Sequence, residues 1–564
     1  MEQPTPVAAP SGSRGLWLAL ACGAIPAVVV FVGERMGASW AEGILQPTDL
    51  PVAVGVLLVG LLLGRAATGS LLDSRGIGWV VPLALVPGVL AMAVLGGPIT
   101  NDEQAYRFQA ELQAEGRMTE ALPTNEPGSP LLDTFRRRQV YEDTEEAVRF
   151  SKYAPGSSLA LTPLAALGLP PLATTILLGI LDLFLVGCLA RRLGLGRPVV
   201  AVALLATSPF FLLVSTSWQS QVFTTPAVLG LALALVRLRQ QGEGLAMRDA
   251  VLLGTLSGWV FLVRPLTGVV LAAAAALAVL TWRVPTPRRL GTLGLAVVGG
   301  LPFLAFMLWW NQQLTGSWIT SVYELYAAKY GPFDPAQLPE KVPVDVYGQG
   351  DPLLGLLRQA GRWSVAFGGM LGAIGLALVG CWRLRKSDGG FSLAVALLLP
   401  LAYAFHWYPG HRAYLGPLYA FETLGLLLLG LLAWRRSSSF AGRDALLVAM
   451  LACGGTAFTF RWPLIADEAQ ARSMPQRVAV EAPAGSVVFL PPQREGRKEL
   501  AFKYWTPSSP RALLDPESVL ILRTSGRMPP ARLVAELGLQ GRTLFLLEPD
   551  PEDSREGRLV PFEP

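Results

Sequence analysis

The sequence predicts an all-α bundle of about thirteen transmembrane helices, followed by a small soluble α/β domain. Hydrophobic residues make up 52% of the chain and charged residues 15%, whereas soluble globular chains carry about 25% charged residues. Many apolar runs approach the ~20 residues that a helix needs to cross a bilayer. The net charge of +5 comes from short arginine clusters between these runs, which argues against nucleic acid as a partner.

The apolar runs set the predicted spans, with bounds good to a few residues. The first run follows a polar start without a clear signal-peptide cleavage site, so we expect it to be retained as a helix. The stretch 157–169 is apolar but too short to cross, and it suits a segment lying in the membrane interface. The candidate spans are 16–33, 50–66, 78–97, 172–190, 198–214, 222–236, 249–263, 266–281, 291–310, 363–382, 391–406, 417–434 and 444–460.

The basic residues orient these spans. With the N-terminus in the cytoplasm, every compact basic cluster between spans falls on the cytoplasmic side, and a shift by one span would break this pattern. The transmembrane domain is then 1–460, with a large outer loop at 98–170, and further outer loops at 311–362 and 407–416. We therefore expect a multi-pass protein among membrane lipids, with its C-terminus extracytoplasmic.

The tail, 461–564, changes character. It contains short β-rich runs at 486–490, 518–524 and 543–547. A stretch with helical periodicity, 529–539, lies between the last two runs. This pattern predicts strand, helix and strand, and hence an extracytoplasmic soluble α/β domain.

The outer loop carries two adjacent carboxylates, Asp102 and Glu103, just after an apolar run. A carboxylate at the outer membrane surface could take a proton from an acceptor hydroxyl or amine, so both are candidate catalytic residues. Thr100 and Glu103 also fit a capping box, in which Glu103 serves the helix N-terminus. The helix that follows places Ala105, Phe108 and Leu112 on one face, and we expect it to lie along the membrane surface.

Three further residues are candidates for binding a phosphate. Lys152 and Tyr153 close the outer loop, although a snorkelling lysine beside an interface tyrosine would give the same pattern. Arg264 lies between two apolar runs with Pro265 behind it. Charge at membrane depth usually faces a cavity or a partner, but a solvated arginine in a tight outer hairpin is the alternative.

A late outer segment, 406–422, concentrates polar chemistry. It contains both histidines of the chain, His406 and His411, together with Arg412 and Glu422. A divalent metal held by histidine and a first-loop carboxylate is one interpretation, but two histidines make a weak metal signal.

The cysteines have no metal-type spacing and lie in apolar runs, so disulfides are not expected. Asp182 lies inside a span, which marks it as functional unless a Ser or Arg partner satisfies it.

A series of short motifs lies in order along residues 80–425. The motifs are Asp102-Glu103 with Tyr106, Phe108-Gln109-Ala110, Glu115-Gly116-Arg117, Lys152-Tyr153-Ala154-Pro155-Gly156, Ser208-Pro209-Phe210, Arg264-Pro265, Thr315-Gly316-Ser317 and Gly416-Pro417-Leu418-Tyr419. This series resembles that of the GT-C superfamily of membrane glycosyltransferases, which includes bacterial aminoarabinose transferases and protein O-mannosyltransferases.

The resemblance implies a bacterial cytoplasmic (inner) membrane enzyme that takes a sugar from a polyprenyl-phosphate donor to a lipid, glycan or protein acceptor on the outer face. Asp102 would act as base and Glu103 would assist it. Lys152, Tyr153 and Arg264 would bind the donor phosphate, with His411 and Arg412 nearby. The site assignment requires that Asp102, Lys152, Arg264 and Arg412 converge on one outward-facing cavity. The resemblance implies no cofactor, and the use of a divalent metal is left open.

Other functions fit parts of the sequence. A transporter or lipid flippase would account for Asp182 and the many spans, although the paired broken helices of transporters are not evident. A polysaccharide ligase or polymerase would use the outer Arg and His residues instead of Asp102. An inactive scaffold of the same fold is a further alternative, because Leu418 stands where related proteins often have the arginine of Gly-Pro-Arg-Tyr.

Overall fold

The computed structural model describes residues 100–330 except 128, 136, 138, 170–171, 242–246 and 283. It also describes 373–385, 390–404, 416–439, 480–491, 515–549 except 526, and 557–563, with scattered residues between these ranges. The predicted spans 16–33, 50–66 and 78–97, and most of 444–460, lie outside the described residues, so the count of thirteen stays a prediction.

Helices dominate the described chain, as the composition predicts. They are α1 (Asn101–Ala114), α2 (Pro130–Phe135), α3 (Gly156–Ala166), α4 (Leu172–Arg192), α5 (Pro198–Ala206), α6 (Pro209–Ser215), α7 (Ser220–Gln240), α8 (Met247–Val263), α9 (Pro265–Leu280), α10 (Thr286–Thr315), α11 (Val322–Tyr330), α12 (Ala373–Leu384), α13 (Gly390–Ala404), a 3-10 turn (Leu418–Thr423), α14 (Leu424–Ser437) and α15 (Pro530–Glu536).

Within these described ranges, four helices are long and apolar enough to cross a membrane: Ala173–Arg192, Ser220–Gln240, Thr286–Thr315 and Leu418–Ser437. The predicted span at 198–214 is two helices, because α5 and α6 meet at a bend of 69°. Together the two are apolar enough for a broken span or a re-entrant loop, so a crossing at 198–214 stays a prediction. Pro209 has no N–H to donate and disfavours helical backbone at the residue before it. Ser208 caps α6 there by accepting a hydrogen bond from the N–H of Phe211.

The chain divides into two compact units. We call Met1–Leu90, Thr174–Trp310 and Phe333–Arg461 the helical unit, because its described elements are helices. We call Ala91–Ala173, Asn311–Pro332 and Trp462–Pro564 the mixed unit.

Close helix packing characterises the helical unit. At Gly254 of α8, an added Cβ would lie 1.6 Å from the carbonyl oxygen of Ala296, and at Gly380 of α12 it would lie 1.6 Å from that of Gly430. No other residue fits at these two contacts. Small residues at helix interfaces are typical of membrane bundles, where backbones must approach closely to pack.

The mixed unit contains two sheets. The first has the strand order β1 (Glu120–Ala121), β3 (Val148–Ser151), β2 (Val140–Asp143), all antiparallel. The second has the order β5 (Leu520–Arg523), β4 (Val487–Leu490), β6 (Leu544–Pro549), β7 (Gly557–Pro561), with β7 antiparallel to β6 and the other pairs parallel. The strands β4 to β6 and the helix α15 lie where the tail sequence predicts them.

The outer loop and the tail share a core inside this unit. Phe135 at the end of α2 packs with Val487, Phe489, Leu520 and Leu522 of the second sheet, and it is 1% exposed. The helix α2 of the outer loop therefore helps to cover this face of the second sheet. That 461–564 forms a separate extracytoplasmic domain stays a prediction.

The apolar face of α1 packs on protein, and the expectation that this helix lies along the membrane surface stays a prediction. Ala105, Phe108 and Leu112 are at most 3% exposed, and the latter two pack on Val140 of β2. The guanidinium of Arg149 lies 5.5 Å from the centre of the Phe108 ring. Periodicity shows that a helix face is buried, but protein and lipid can bury it equally well.

Candidate functional site

The N-terminus of α1 has the predicted capping box. The N–H of Thr100 donates to Glu103 Oε2 at 2.8 Å, and the N–H of Glu103 donates to Thr100 Oγ1 at 3.4 Å. Glu103 is 1% exposed. Its carboxylate therefore has a structural contact, and its assistance in catalysis stays a prediction.

Asp102 lies half-buried in the first turn of the same helix. The unpaired N–H groups of a helix N-terminus favour a negative charge at this position. The hydroxyl of Tyr153 donates a hydrogen bond to the Asp102 carboxylate. Burial, together with the negative charge of Asp102, raises the pKa of Tyr153 well above its ordinary value, so the phenol stays a donor.

The polar face of α1 fixes the segment that carries Lys152 and Tyr153. Asp102, Tyr106 and Gln109 are spaced four and three residues apart, which places them on one face. Gln109 accepts a hydrogen bond from the N–H of Ser151 at 2.9 Å and donates to the carbonyl of Met118 at 2.8 Å. The ring centres of Tyr106 and Tyr153 lie 4.8 Å apart, edge to face. The helix thus places Asp102 beside the end of the loop.

Lys152 is surrounded by tyrosine rings. It is 7% exposed, and its Nζ lies 5.2 Å from the ring centre of Tyr153, 4.9 Å from that of Tyr323 and 4.5 Å from that of Tyr326. Ring faces attract an ammonium group over such distances. The packing therefore holds a positive charge next to the tyrosine that contacts Asp102. We call Asp102, Lys152, Tyr153 and Tyr323 the carboxylate cluster.

The tyrosines of α11 were not predicted as site residues. A signal was present in the sequence: Ser321 and Glu324 repeat the spacing of Thr100 and Glu103, and they cap α11 in the same way, with the N–H of Ser321 donating to Glu324 Oε2 at 2.8 Å. Tyr323 and Tyr326 then follow three residues apart, on one helical face. Which partner that face contacts could not be derived from spacing.

Arg264 lies in the helical unit, between α8 and α9. The alternative of a solvated hairpin arginine is wrong, because the residue is 7% exposed and its Nε lies 3.2 Å from Glu422 Oε1. Its Nη1 donates to Ser220 Oγ at 3.1 Å and its Nη2 to the hydroxyl of Tyr403 at 2.9 Å. Pro265, at the first position of α9, ends α8 and leaves this side chain at the break.

Glu422 belongs to the late outer segment, where the sequence assigned it no role, and it is 0% exposed. Its Oε1 accepts a hydrogen bond from Thr224 Oγ1 of α7 at 2.9 Å, besides pairing with Arg264. Its Oε2 has no hydrogen-bond partner among the described residues. A buried carboxylate with one unsatisfied oxygen carries a cost in free energy, which singles out this group.

Aromatic rings cover the ion pair. The rings of Tyr403 and Tyr419 stack with their centres 5.0 Å apart, and the guanidinium carbon of Arg264 lies 5.3 Å and 5.4 Å from these two centres. Stacking suits the planar guanidinium. We call Arg264, Glu422, Tyr403 and Tyr419 the arginine cluster.

The remaining candidates fall into two classes. His406, His411 and Arg412 lie outside the described residues. Asp182 is 1% exposed inside α4, and its Oδ1 has no hydrogen-bond partner in the part of the chain that the structure describes. Within that part, no three His, Cys, Asp or Glu side chains group as metal ligands would. Asp102 and Lys152 belong to one unit and Arg264 to the other, so the convergence of the candidates on one cavity stays a prediction.

The solved structures that are similar to the chain include the following three. Two are ArnT from Cupriavidus metallidurans, bound to undecaprenyl phosphate (11% identity, TM-score 0.47) and in the apo state (13% identity, TM-score 0.46). Each similarity covers 85% of this chain and 94% of ArnT. The third is the Archaeoglobus fulgidus oligosaccharyltransferase in complex with Zn and sulfate, with 15% identity, a TM-score of 0.34, and coverage of 76% of this chain and 57% of that one.

No family model and no curated protein matches the chain. At the identities and TM-scores of the solved structures, the roles of individual residues have to come from the chemistry of this chain's own side chains.

Proposed function

We propose that this chain is a membrane glycosyltransferase that moves a sugar from a polyprenyl-phosphate donor to an acceptor on the outer face of the cytoplasmic membrane. The observation that carries the proposal is the carboxylate cluster. In it, a half-buried aspartate at a helix N-terminus accepts a hydrogen bond from Tyr153, and a tyrosine-packed lysine lies beside that tyrosine. The motif resemblance of the sequence supports the same reaction class.

In the proposed reaction, Asp102 accepts the proton of the acceptor hydroxyl or amine as that group attacks the sugar carbon. The bond from this carbon to the phosphate oxygen breaks, and its electron pair leaves with the polyprenyl phosphate. A direct displacement of this kind inverts the sugar carbon. Tyr153 stays neutral and holds the carboxylate, because the raised pKa keeps its proton in place.

Positive charge must meet the phosphate as it leaves. A fixed cation in a site from which water is excluded stabilises such charge far better than one in water. We propose Lys152 as this cation in the mixed unit, with the neutral Tyr153 beside it as a further residue that binds the phosphate. We propose Arg264 as the anion-binding residue of the helical unit. His411, Arg412 and Glu103 keep the roles that the sequence resemblance gives them.

The decisive test is Asp102→Asn in the full-length protein, with a prenyl-phosphate sugar and membrane acceptors. Loss of a general base lowers the rate by about 10²–10⁴-fold, and we expect the transfer rate to fall within that range. Asp133→Asn is the matched control, since Asp133 is exposed in α2 of the same loop. Full transfer by Asp102→Asn would remove the role proposed for this residue.

A transporter makes the opposite prediction. Its function would depend on the membrane-buried Asp182 rather than on Asp102. Asp182→Asn is therefore measured beside Asp102→Asn, and we expect transfer to persist in the Asp182 variant. Loss of function only in the Asp182 variant would favour transport over transfer.

A further inference from the structure

The arginine cluster contains one positive and one negative side chain, and both are buried. Arg264 is 7% exposed and Glu422 is 0% exposed, so their charges cancel in a place that water barely reaches. A lipid phosphate that binds to Arg264 would bring a second negative charge beside Glu422. Uncompensated charge in such an environment is expensive, and a carboxyl group there takes a proton instead of staying ionised.

The geometry of Glu422 already provides a place for that proton. Its Oε1 contacts Arg264 Nε and Thr224 Oγ1, whereas Oε2 has no hydrogen-bond partner among the residues described. Protonation of Oε2 would thus break no hydrogen bond in the structure. The positive charge of Arg264 would then be balanced by the phosphate instead of by Glu422.

The other groups around the pair do not compete for this proton. Phe421, next to Glu422, stacks on Phe211 of α6 and packs edge to face on Phe210. α7 contributes the hydroxyls of Ser220 and Thr224, and the α8–α9 junction contributes Arg264 and Thr267. Tyr403 of α13 and Tyr419 of the 3-10 turn are phenols, which are neutral near pH 7. Among the described neighbours, Glu422 is therefore the proton acceptor.

We propose that the binding of a lipid phosphate at Arg264 is coupled to the uptake of one proton by Glu422. The proposal rests on the proposed function, because it takes Arg264 as an anion-binding residue. The proton comes from water, the carboxylate becomes a neutral carboxylic acid, and the guanidinium exchanges its carboxylate partner for the phosphate. No bond to phosphorus forms or breaks. Linkage then requires affinity for the lipid phosphate to rise as the pH falls.

The experiment uses isothermal titration of the full-length protein in detergent with the methyl ester of farnesyl phosphate. This phosphodiester carries one fixed charge, so it contributes no titration of its own near neutral pH. Titration in two buffers of different ionisation enthalpy counts the protons taken up on binding. We expect about one proton per probe for the wild type, and an affinity that falls up to about tenfold per pH unit.

The variant that tests the coupling is Glu422→Gln. It keeps the shape of the side chain and removes the titration, so we expect no proton uptake, an affinity that is independent of pH, and binding at least as tight as that of the wild type. Glu422→Asp keeps a carboxyl group and should keep the uptake. Glu536→Gln, at an exposed position of α15, is the matched control and should behave as the wild type.

Several results would overturn the coupling. These are wild-type binding without proton uptake, uptake that persists in Glu422→Gln, and loss of binding by a Glu422→Gln protein whose thermal unfolding midpoint is unchanged. Unchanged binding in Arg264→Gln would place the probe elsewhere, and failure of the wild type to bind it would also end the proposal. The Asp102→Asn transfer assay is read separately, so either hypothesis can fail alone.

Discussion

The carboxylates of the two polar clusters differ in exposure and in the charge of their partners. In the carboxylate cluster, Asp102 lies half-buried at a helix end and accepts a hydrogen bond from a neutral phenol. In the arginine cluster, Glu422 is sealed from solvent and paired with a guanidinium at 3.2 Å. One carboxylate is accessible to a substrate, while the other is engaged with its own protein.

This difference teaches which kind of chemistry each cluster can perform. A general base must reach the proton that it removes, and only Asp102 of these two carboxylates has an exposed portion. A buried ion pair does not stabilise a fold by much, but it is costly to disturb. We therefore expect mutations in the arginine cluster to change the stability of the protein and its affinity for anions. Mutations in the carboxylate cluster should change the rate of transfer.

The largest effect on stability should follow Arg264→Leu. Removal of one partner of a buried pair leaves the other charge uncompensated and costs about 3–5 kcal/mol. The double variant Arg264→Leu/Glu422→Leu should recover much of this loss, because no charge is then left unpaired. Thermal or denaturant unfolding in detergent measures both.

A surface pair is the control for this comparison. Arg532 and Glu536 have side chains 55% and 38% exposed, and Arg532→Leu should cost about 0–1 kcal/mol. If the double variant in the arginine cluster is no more stable than Arg264→Leu, burial of an unpaired charge is not the cause of the loss.

Lys152→Met should lower the transfer rate by about 10²-fold, since the loss of one preorganised group that stabilises developing charge has that effect. Methionine keeps most of the side chain's length among the three tyrosines, so packing is largely preserved. Lys329→Met is a closely matched control, because Lys329 also contacts two tyrosine rings in the mixed unit, those of Tyr141 and Tyr330. Equal losses of rate in the two variants would show that the effect is not specific to Lys152.

Much of the described fold follows from local pattern. Apolar runs predicted the positions of the helices α4, α7 and α10, with ends that differ by up to five residues, since a membrane span needs a long apolar segment. The capping box at Thr100 and the tail strands were equally local signals. The break at Pro209 could also have been found from sequence, because proline at that position ends helical hydrogen bonding.

The contacts that build the two clusters were beyond reach for a physical reason. Glu422 and Arg264 are far apart in sequence, and neither residue type nor spacing predicts that α7, the α8–α9 junction and the 3-10 turn meet around them. Tyr326 reaches Lys152 from a different loop in the same way. Single-sequence patterns report periodicity along one element, whereas these sites depend on which elements pack together.

Tyr153→Phe should have a smaller effect on transfer, of about tenfold. The substitution removes one hydrogen bond to a charged group, worth about 1.5 kcal/mol or more, and keeps the ring beside Lys152. Because the pKa of Tyr153 is raised above its ordinary value, the hydroxyl keeps its proton as the pH rises through about 10, where an ordinary tyrosine ionises.

The pH–rate profile therefore separates two roles of Tyr153. The alkaline side of the profile up to about pH 10 should be the same in the wild type and in Tyr153→Phe. A wild-type limb in that range that disappears in the variant would mean that Tyr153 itself titrates and serves as an acid or base. Tyr330→Phe, on α11 of the same unit, is the control for loss of a phenol.

The smallest effect should come from Glu103, which separates helix capping from catalysis at adjacent carboxylates. Glutamine supports a capping box as glutamate does, so Glu103→Gln should keep both the stability and most of the transfer rate. Glu103→Ala loses the contact to the N–H of Thr100 and should cost about 1 kcal/mol, as should Glu324→Ala in the equivalent cap of α11. If Glu103→Gln instead loses transfer as fully as Asp102→Asn while remaining folded, then the negative charge of Glu103 is needed. The base would in that case be the carboxylate pair rather than Asp102 alone.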